Sequence, residues 1–121
     1  MIGIDIVSIE RIEKNIQKYQ EGFLNKFLCI DEINLVKTQK GFKISTIAGF
    51  WSAKEACSKA LGVGICNELR FFDIQISKNF KNAPLLTLRK DKMQAFNISS
   101  IYTSISHDSG FAIAVVMIQT N

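Results

Sequence analysis

Isoleucine alternates with small and acidic residues at the start of the chain, where Ile2, Ile4 and Ile6 flank Gly3 and Asp5. A period of two predicts a short strand with one buried face, the isoleucine face. At Ser8 the period changes. Ile9, Ile12 and Ile16 follow at i, i+3 and i+7, one stripe of a helix running to about Tyr19. The Ser8 hydroxyl is placed to cap it, and Glu10 and Lys14 fall at i, i+4 on its wet side. Gly22 interrupts the pattern. Phe23, Phe27 and Leu28 predict a second short helix, and Asp31 is placed to cap a third carrying Ile33 and Val36. Residues 37–43 read as a loop. From about Ser45 to Leu61 a longer helix puts Phe50, Ala53, Cys57, Ala60 and Leu61 on an apolar face, with Lys54, Glu55, Ser58 and Lys59 elsewhere. Gly62 stops it, in the position where a left-handed cap needs no Cβ.

The second half of the chain returns to period two. Phe72, Ile74 and Ile76 alternate, residues 77–82 form a turn, and Leu85–Leu88 follow Pro84 as a strand. A brief helix covers Arg89–Phe96. Ile101, Thr103 and Ile105 alternate again, Asp108-Ser109-Gly110 is turn chemistry, and Phe111–Ile118 is apolar on both faces. Burial on both sides of a strand in so small a protein suggests packing between subunits. Helices in the first half and strands in the second give an α+β pattern, with one strand at the very start.

The 121 residues suit a single domain, 1–121, with no repeat or linker. A hydrophobic fraction of 47% and a charged fraction of 21% exclude bulk disorder. A net charge of +4 suggests an acidic partner: nucleic acid, a phosphate ligand or an acidic protein. Cys29, Cys57 and Cys66 form no CxxC, and only one histidine is present, so no structural zinc site is expected. The odd thiol count and the absence of an export signal at the N-terminus point to a reducing, cytoplasmic setting. The longest apolar run is far short of the ~20 residues that span a bilayer, so no membrane partner is expected.

Three features carry chemistry. Asp5 lies inside an isoleucine-rich strand, where a carboxylate must be solvated, paired, capping or metal-bound. Glu55 and Lys59 stand at i, i+4 on one helix, followed by Ser58, Gly62 and Gly64 on the continuing surface. They are either a surface ion pair or one wall of a phosphate site. In the second case the acid holds Mg²⁺ and the lysine neutralises phosphate oxygens. His107 ends a strand at a turn, as a structural residue or as a ligand contact. Ser106 and Asp108 adjoin it in sequence and point to the opposite face, which argues against a Ser/His/Asp triad.

Together these stretches resemble the small bacterial 4′-phosphopantetheinyl transferases, the holo-[acyl-carrier-protein] synthase family. The matching residues are Gly3-Ile-Asp5-Ile-Val with Arg11-Ile12; Ala53-Lys54-Glu55-Ala56 with Ser58-Lys59-Ala60 and Gly62-Val-Gly64-Ile65; and Ser104-Ile-Ser-His107. They occur in the family's order over essentially the whole chain. The resemblance implies transfer of phosphopantetheine from coenzyme A to a serine of apo acyl carrier protein in fatty acid biosynthesis. Adenosine 3′,5′-bisphosphate leaves, and Mg²⁺ is the cofactor.

By the same resemblance Asp5, Glu55 and Lys59 are the catalytic residues, with Asp5 and Glu55 holding the metal. Lys54, Ser58, Gly62, Gly64 and His107 contact coenzyme A, and Arg11 and Lys26 contact the carrier. The implied fold is an α+β one, helices on a mainly antiparallel sheet. It assembles as a homotrimer with active sites between subunits: one subunit supplies the Asp5 side and its neighbour the Glu55 and Lys59 side. Phe50-Trp51 stands where many members have an arginine before an aromatic, so another basic group, near Lys81, is expected to serve a coenzyme A phosphate. The rival readings are a small basic RNA-binding module, which lacks an exposed aromatic ladder here, and a non-catalytic oligomeric scaffold. No nucleic-acid partner is expected.

Overall fold

A computed structural model describes all 121 residues. Strand β1 (Ile2–Ser8) leads into helix α1 (Ile9–Tyr19), and the short helices α2 (Glu21–Leu24) and α3 (Ile30–Val36) follow. A two-stranded hairpin, β2 (Lys37–Thr38) and β3 (Gly41–Phe42), precedes the long helix α4 (Ile44–Ala60). The second half contains β4 (Ile74–Lys78), β5 (Pro84–Leu88), the short helix α5 (Lys90–Ala95), β6 (Ile98–Asp108) and β7 (Phe111–Thr120). The α+β pattern holds. Every strand pair is antiparallel, and the main sheet has the order β1-β7-β6.

Several local rules operate as the sequence suggests. The Ser8 hydroxyl accepts from the Arg11 N–H at 3.3 Å and caps α1. Ser109 and Gly110 both have positive φ, 52° and 83°. They make a two-residue turn whose hand matches the twist of the β6–β7 hairpin.

Other expectations are corrected. Gly22 lies inside α2; the break falls at Gln20, which takes φ 52°. Cys29, not Asp31, occupies the cap position of α3, and its N–H donates to the Glu32 carboxylate at 2.9 Å. Residues 37–43 pair as β2 and β3 rather than forming an open loop. Phe72 is exposed in a 3₁₀ turn (Phe71–Asp73), and β4 begins only at Ile74.

The largest correction concerns β1. Its isoleucine face is the outer one: Ile2, Ile4 and Ile6 are 67%, 57% and 60% exposed, while Gly3 and Val7 are buried against α4. A Cβ on Gly3 would collide with the Ala56 carbonyl oxygen and the Ala60 nitrogen. Glycine is therefore what allows β1 to lie directly on α4. The register Ile4↔Val115 and Ile6↔Ile113 extends the apolar outer face onto β7, where Ile113 and Met117 are also exposed. The inner face of β7, Ala112, Ala114, Val116 and Ile118, is buried. An alternating strand shows which residues share a face, but not which face the chain itself covers.

Candidate active site

The inner face of β1 carries Asp5, and the last turns of α4 carry Glu55 and Lys59. Because Gly3 permits backbone contact between these elements, the three side chains meet. The Lys59 ammonium donates to Asp5 Oδ1 at 2.8 Å. Asp5 is largely enclosed, its side chain 13% exposed, whereas half of the Lys59 side chain is open to solvent. The hydrogen bond to Asp5 raises Lys59 above the usual lysine value. Glu55 is half-buried, and its carboxyl is pushed above the usual carboxylate range, first by burial and then by the Asp5 charge; Lys59 and Arg11 pull the other way.

Asp5 was expected to come from one subunit and Glu55 with Lys59 from its neighbour. The structure instead brings all three together within one chain, because β1 packs on the same end of α4 that bears Glu55 and Lys59.

Two adjacent carboxylates with oxygen donors only, beside a lysine and open to solvent on one side, suit Mg²⁺. That ion uses one or two protein carboxylates, keeps waters and takes substrate phosphates. No cluster of three His, Cys, Asp or Glu residues competes as a site. A closed zinc site has no ligands here. The residues therefore fit Mg²⁺ on the chemistry of the donors.

Lys54 and Ser58 are displaced from their expected roles. Both are wholly buried. The Lys54 ammonium donates to the Phe27 carbonyl at 2.8 Å, the Phe71 carbonyl at 3.2 Å and Glu32 Oε1 at 2.9 Å. Glu32 also accepts N–H bonds from Cys29 and Ile76. Burial pushes Lys54 below the usual lysine value, with Glu32 opposing. This network ties α4 to three segments on the side away from solvent, so Lys54 is out of reach of a ligand. Helical spacing carries the signal: Lys54 sits at i+4 from Phe50 and i−3 from Cys57, within the core stripe. Its partner Glu32, 22 residues away, has no sequence signature. The Ser58 hydroxyl donates to the Glu55 carbonyl at 2.6 Å, and the Ser58 carbonyl accepts from Val63 and Gly64.

Gly62 and Gly64 have φ of 76° and 70°, as a left-handed helix end requires. A Cβ at either would meet nothing within 4 Å, so the turn faces open space.

His107 lies elsewhere, at the other end of α4. It lines a cavity of about 310 Å³ with Ser45, Thr46, Phe50, Lys78 and Asn82 among its walls. The basic group over the Phe50 ring is Lys78, at 5.9 Å, whereas Lys81 sits over Phe80. Arg11 and Lys26, the expected carrier contacts, are both exposed. Arg11, Lys14 and Lys18 recur at i, i+3 and i+7 along α1. They form a basic stripe although residues 1–28 carry four bases and four acids. Lys18 and Lys26 both lie over the Tyr19 ring.

The chain matches the 4′-phosphopantetheinyl transferase superfamily over residues 1–116. It is 60% identical over 121 residues to a holo-[acyl-carrier-protein] synthase of Helicobacter pylori, covering 100% of this chain and 98% of that protein. A similar relative in Wolinella succinogenes is 55% identical over 119 residues, covering 98% and 97% of the two chains. The fold superposes on the crystal structure of an H. pylori holo-[acyl-carrier-protein] synthase in complex with coenzyme A. The TM-score is 0.91 at 60% identity, over 98% of this chain and 100% of that one. A Bacillus anthracis holo-(acyl-carrier-protein) synthase in complex with coenzyme A superposes with a TM-score of 0.80 at 33% identity, over 99% and 96%.

Proposed function

The chain belongs to the 4′-phosphopantetheinyl transferase superfamily, and from that premise we propose that it moves the 4′-phosphopantetheine group from coenzyme A to a serine of apo acyl carrier protein. The observation that carries the reading at the level of chemistry is the meeting of Asp5, Glu55 and Lys59 in one solvent-facing cluster. The serine oxygen, supplied by the carrier, forms a bond to the β-phosphorus of coenzyme A as its hydroxyl proton is released to water on the solvent-open side of the cluster. The bond from that phosphorus to the bridging oxygen breaks, and adenosine 3′,5′-bisphosphate departs.

Asp5 and Glu55 would hold Mg²⁺, which supplies charge neutralisation at the diphosphate when bound. Lys59 neutralises charge on the transferring phosphate and its leaving oxygen. Asp5 serves a second purpose, because its hydrogen bond orders a lysine whose stem is half exposed. The Gly62–Gly64 turn leaves room for the ligand to lie close to the backbone. The basic stripe Arg11, Lys14 and Lys18, with Lys26, meets the acidic carrier; opposite charge of this kind chiefly raises the rate of encounter.

The assembly is a homotrimer whose contact surface is the outer sheet face of Ile2, Ile4, Ile6, Ile113 and Met117. An apolar surface of this extent marks an interface in a stable protein. The reaction serves bacterial fatty acid biosynthesis in the cytoplasm; no helix is long and apolar enough to cross a membrane. The test is release of adenosine 3′,5′-bisphosphate from coenzyme A in the presence of Mg²⁺ and apo carrier. Release is expected only when both are present. Release without the carrier, or none with a cognate carrier, would refute the assignment.

A further inference from the structure

Asp5 and Glu55 are close enough for the charge of one to act on the other, yet their partners differ. Asp5 Oδ1 accepts the Lys59 ammonium at 2.8 Å, whereas the Glu55 carboxylate has no cation within 4.0 Å. A carboxylate as enclosed as Asp5 needs a counter-charge, and Lys59 supplies it. That contact is all that holds Lys59. Its ammonium makes no other hydrogen bond, half of its side chain is in solvent, and its four-carbon stem is flexible. Asp5 is fixed by contrast, on a strand where it pairs with Ala114. Lys54 on the same helix is fixed too, by three hydrogen bonds in the core. Of the groups around Asp5, Lys59 is therefore the one free to move.

We propose that Lys59 is a displaceable counter-ion: it holds Asp5 until Mg²⁺ binds, then leaves that carboxylate and turns to the substrate diphosphate. An ammonium and a divalent ion on one carboxylate repel at short range, and water screens them little where Asp5 is enclosed. Mg²⁺ also demands near-ideal octahedral geometry, which a lysine on the same carboxylate disturbs. Lys59 and Mg²⁺ thus compete for Asp5. The competition stands on the observed ion pair alone; the turn toward a diphosphate rests on the transferase reading.

The consequence is coupling between metal and substrate. Mg²⁺ alone must strip Asp5 of its lysine and leaves that ammonium without a partner. A diphosphate gives the released ammonium a new partner and so tightens Mg²⁺ binding; by linkage Mg²⁺ tightens the diphosphate equally. The test is calorimetric titration of the intact protein with magnesium chloride at fixed ionic strength. Lys59→Met is expected to bind Mg²⁺ about tenfold more tightly than the wild type, the factor carried by one charge-assisted hydrogen bond near the low end of its range. Arg11→Met controls for simple repulsion. Arg11 acts on the Glu55 charge but does not pair with Asp5, so its loss is expected to change Mg²⁺ affinity by less than about threefold.

A second readout is thermal. The rise in melting temperature on adding Mg²⁺ should be larger for Lys59→Met than for the wild type, which also shows that the variant is folded. With coenzyme A present, the affinity gap between wild type and Lys59→Met should close, because Lys59 then has the diphosphate. Equal Mg²⁺ affinity in wild type and Lys59→Met, equal gains in Lys59→Met and Arg11→Met, or no Mg²⁺ binding by any of the three overturns the inference. A gap that persists in coenzyme A overturns the turn of Lys59 toward the diphosphate. If the wild type loads no cognate carrier while the gap with Mg²⁺ alone holds, the transferase reading fails and the counter-ion role stands.

Discussion

Replacing Lys54 by Met should destabilise the protein strongly without touching a ligand. The side chain is wholly buried, and its ammonium satisfies Glu32 and the carbonyls of Phe27 and Phe71. Met fills the volume but leaves Glu32 as a buried carboxylate without its counter-ion. Breaking a buried pair from one side costs about 3–5 kcal/mol. Glu32 keeps the N–H bonds from Cys29 and Ile76, which places the loss toward the lower end, about 3 kcal/mol. For a domain of this length roughly 4 °C of melting temperature accompanies each kcal/mol, so the melt should fall by about 12 °C.

Neutralising the partner should recover much of the loss, because the stranded charge is its main source. Glu32→Gln combined with Lys54→Met is thus expected to be more stable than the sum of the single changes by over 1 kcal/mol. Urea denaturation at fixed protomer concentration measures all three variants. A Lys54→Met loss below about 1 kcal/mol, or strictly additive single changes, would refute the reasoning.

In chelator at neutral pH, Glu55→Gln should be more stable than the wild type. A carboxyl raised by the fold binds protons more tightly native than unfolded. Stability is then lost as pH rises from the ordinary glutamate value of about 4.5 through the raised native value. Thermal melts across pH check the sign; a wild-type advantage in chelator at pH 7 would contradict it, and added Mg²⁺ should stabilise the wild type only. Gly3→Ala should lift β1 off Ala56 and Ala60 and abolish both thermal stability and transfer activity; an active, native-like variant would be inconsistent with the packing. Ile4→Asp and Ile113→Asp should convert the proposed trimer to monomers in light scattering, and intact trimers in both would place the interface elsewhere. In the native protein Cys29 and Cys66 should react quickly with a thiol reagent. Cys57, buried and pushed up to about 12, should react only on unfolding.

Most elements were legible because their signals are local: the cap at Ser8, the 3.6-residue stripe of α1, the turn at Ser109-Gly110 and the glycine stop after α4. The polarity of β1 was not. Ile2, Ile4 and Ile6 are the greasiest face of the strand, yet α4 approaches the side where Gly3 leaves room. The apolar side is left for another surface. The site shows a similar division. Asp5, Glu55 and Lys59 were identified as chemistry, but their meeting within one chain depends on the β1–α4 contact, which no spacing encodes. The family resemblance assigns Lys54 to coenzyme A, although its helical phase places it with Phe50 and Cys57 in the core.

This chain is proposed to load a carrier protein through the cluster of Asp5, Glu55 and Lys59. Its most direct test is the intact mass of apo acyl carrier protein after incubation with coenzyme A, Mg²⁺ and either the wild type or Glu55→Gln. A gain of one phosphopantetheine on the carrier serine is expected with the wild type, and an unmodified carrier with folded Glu55→Gln over the same interval. An unmodified cognate carrier with the wild type, or equal loading by both proteins, would contradict it.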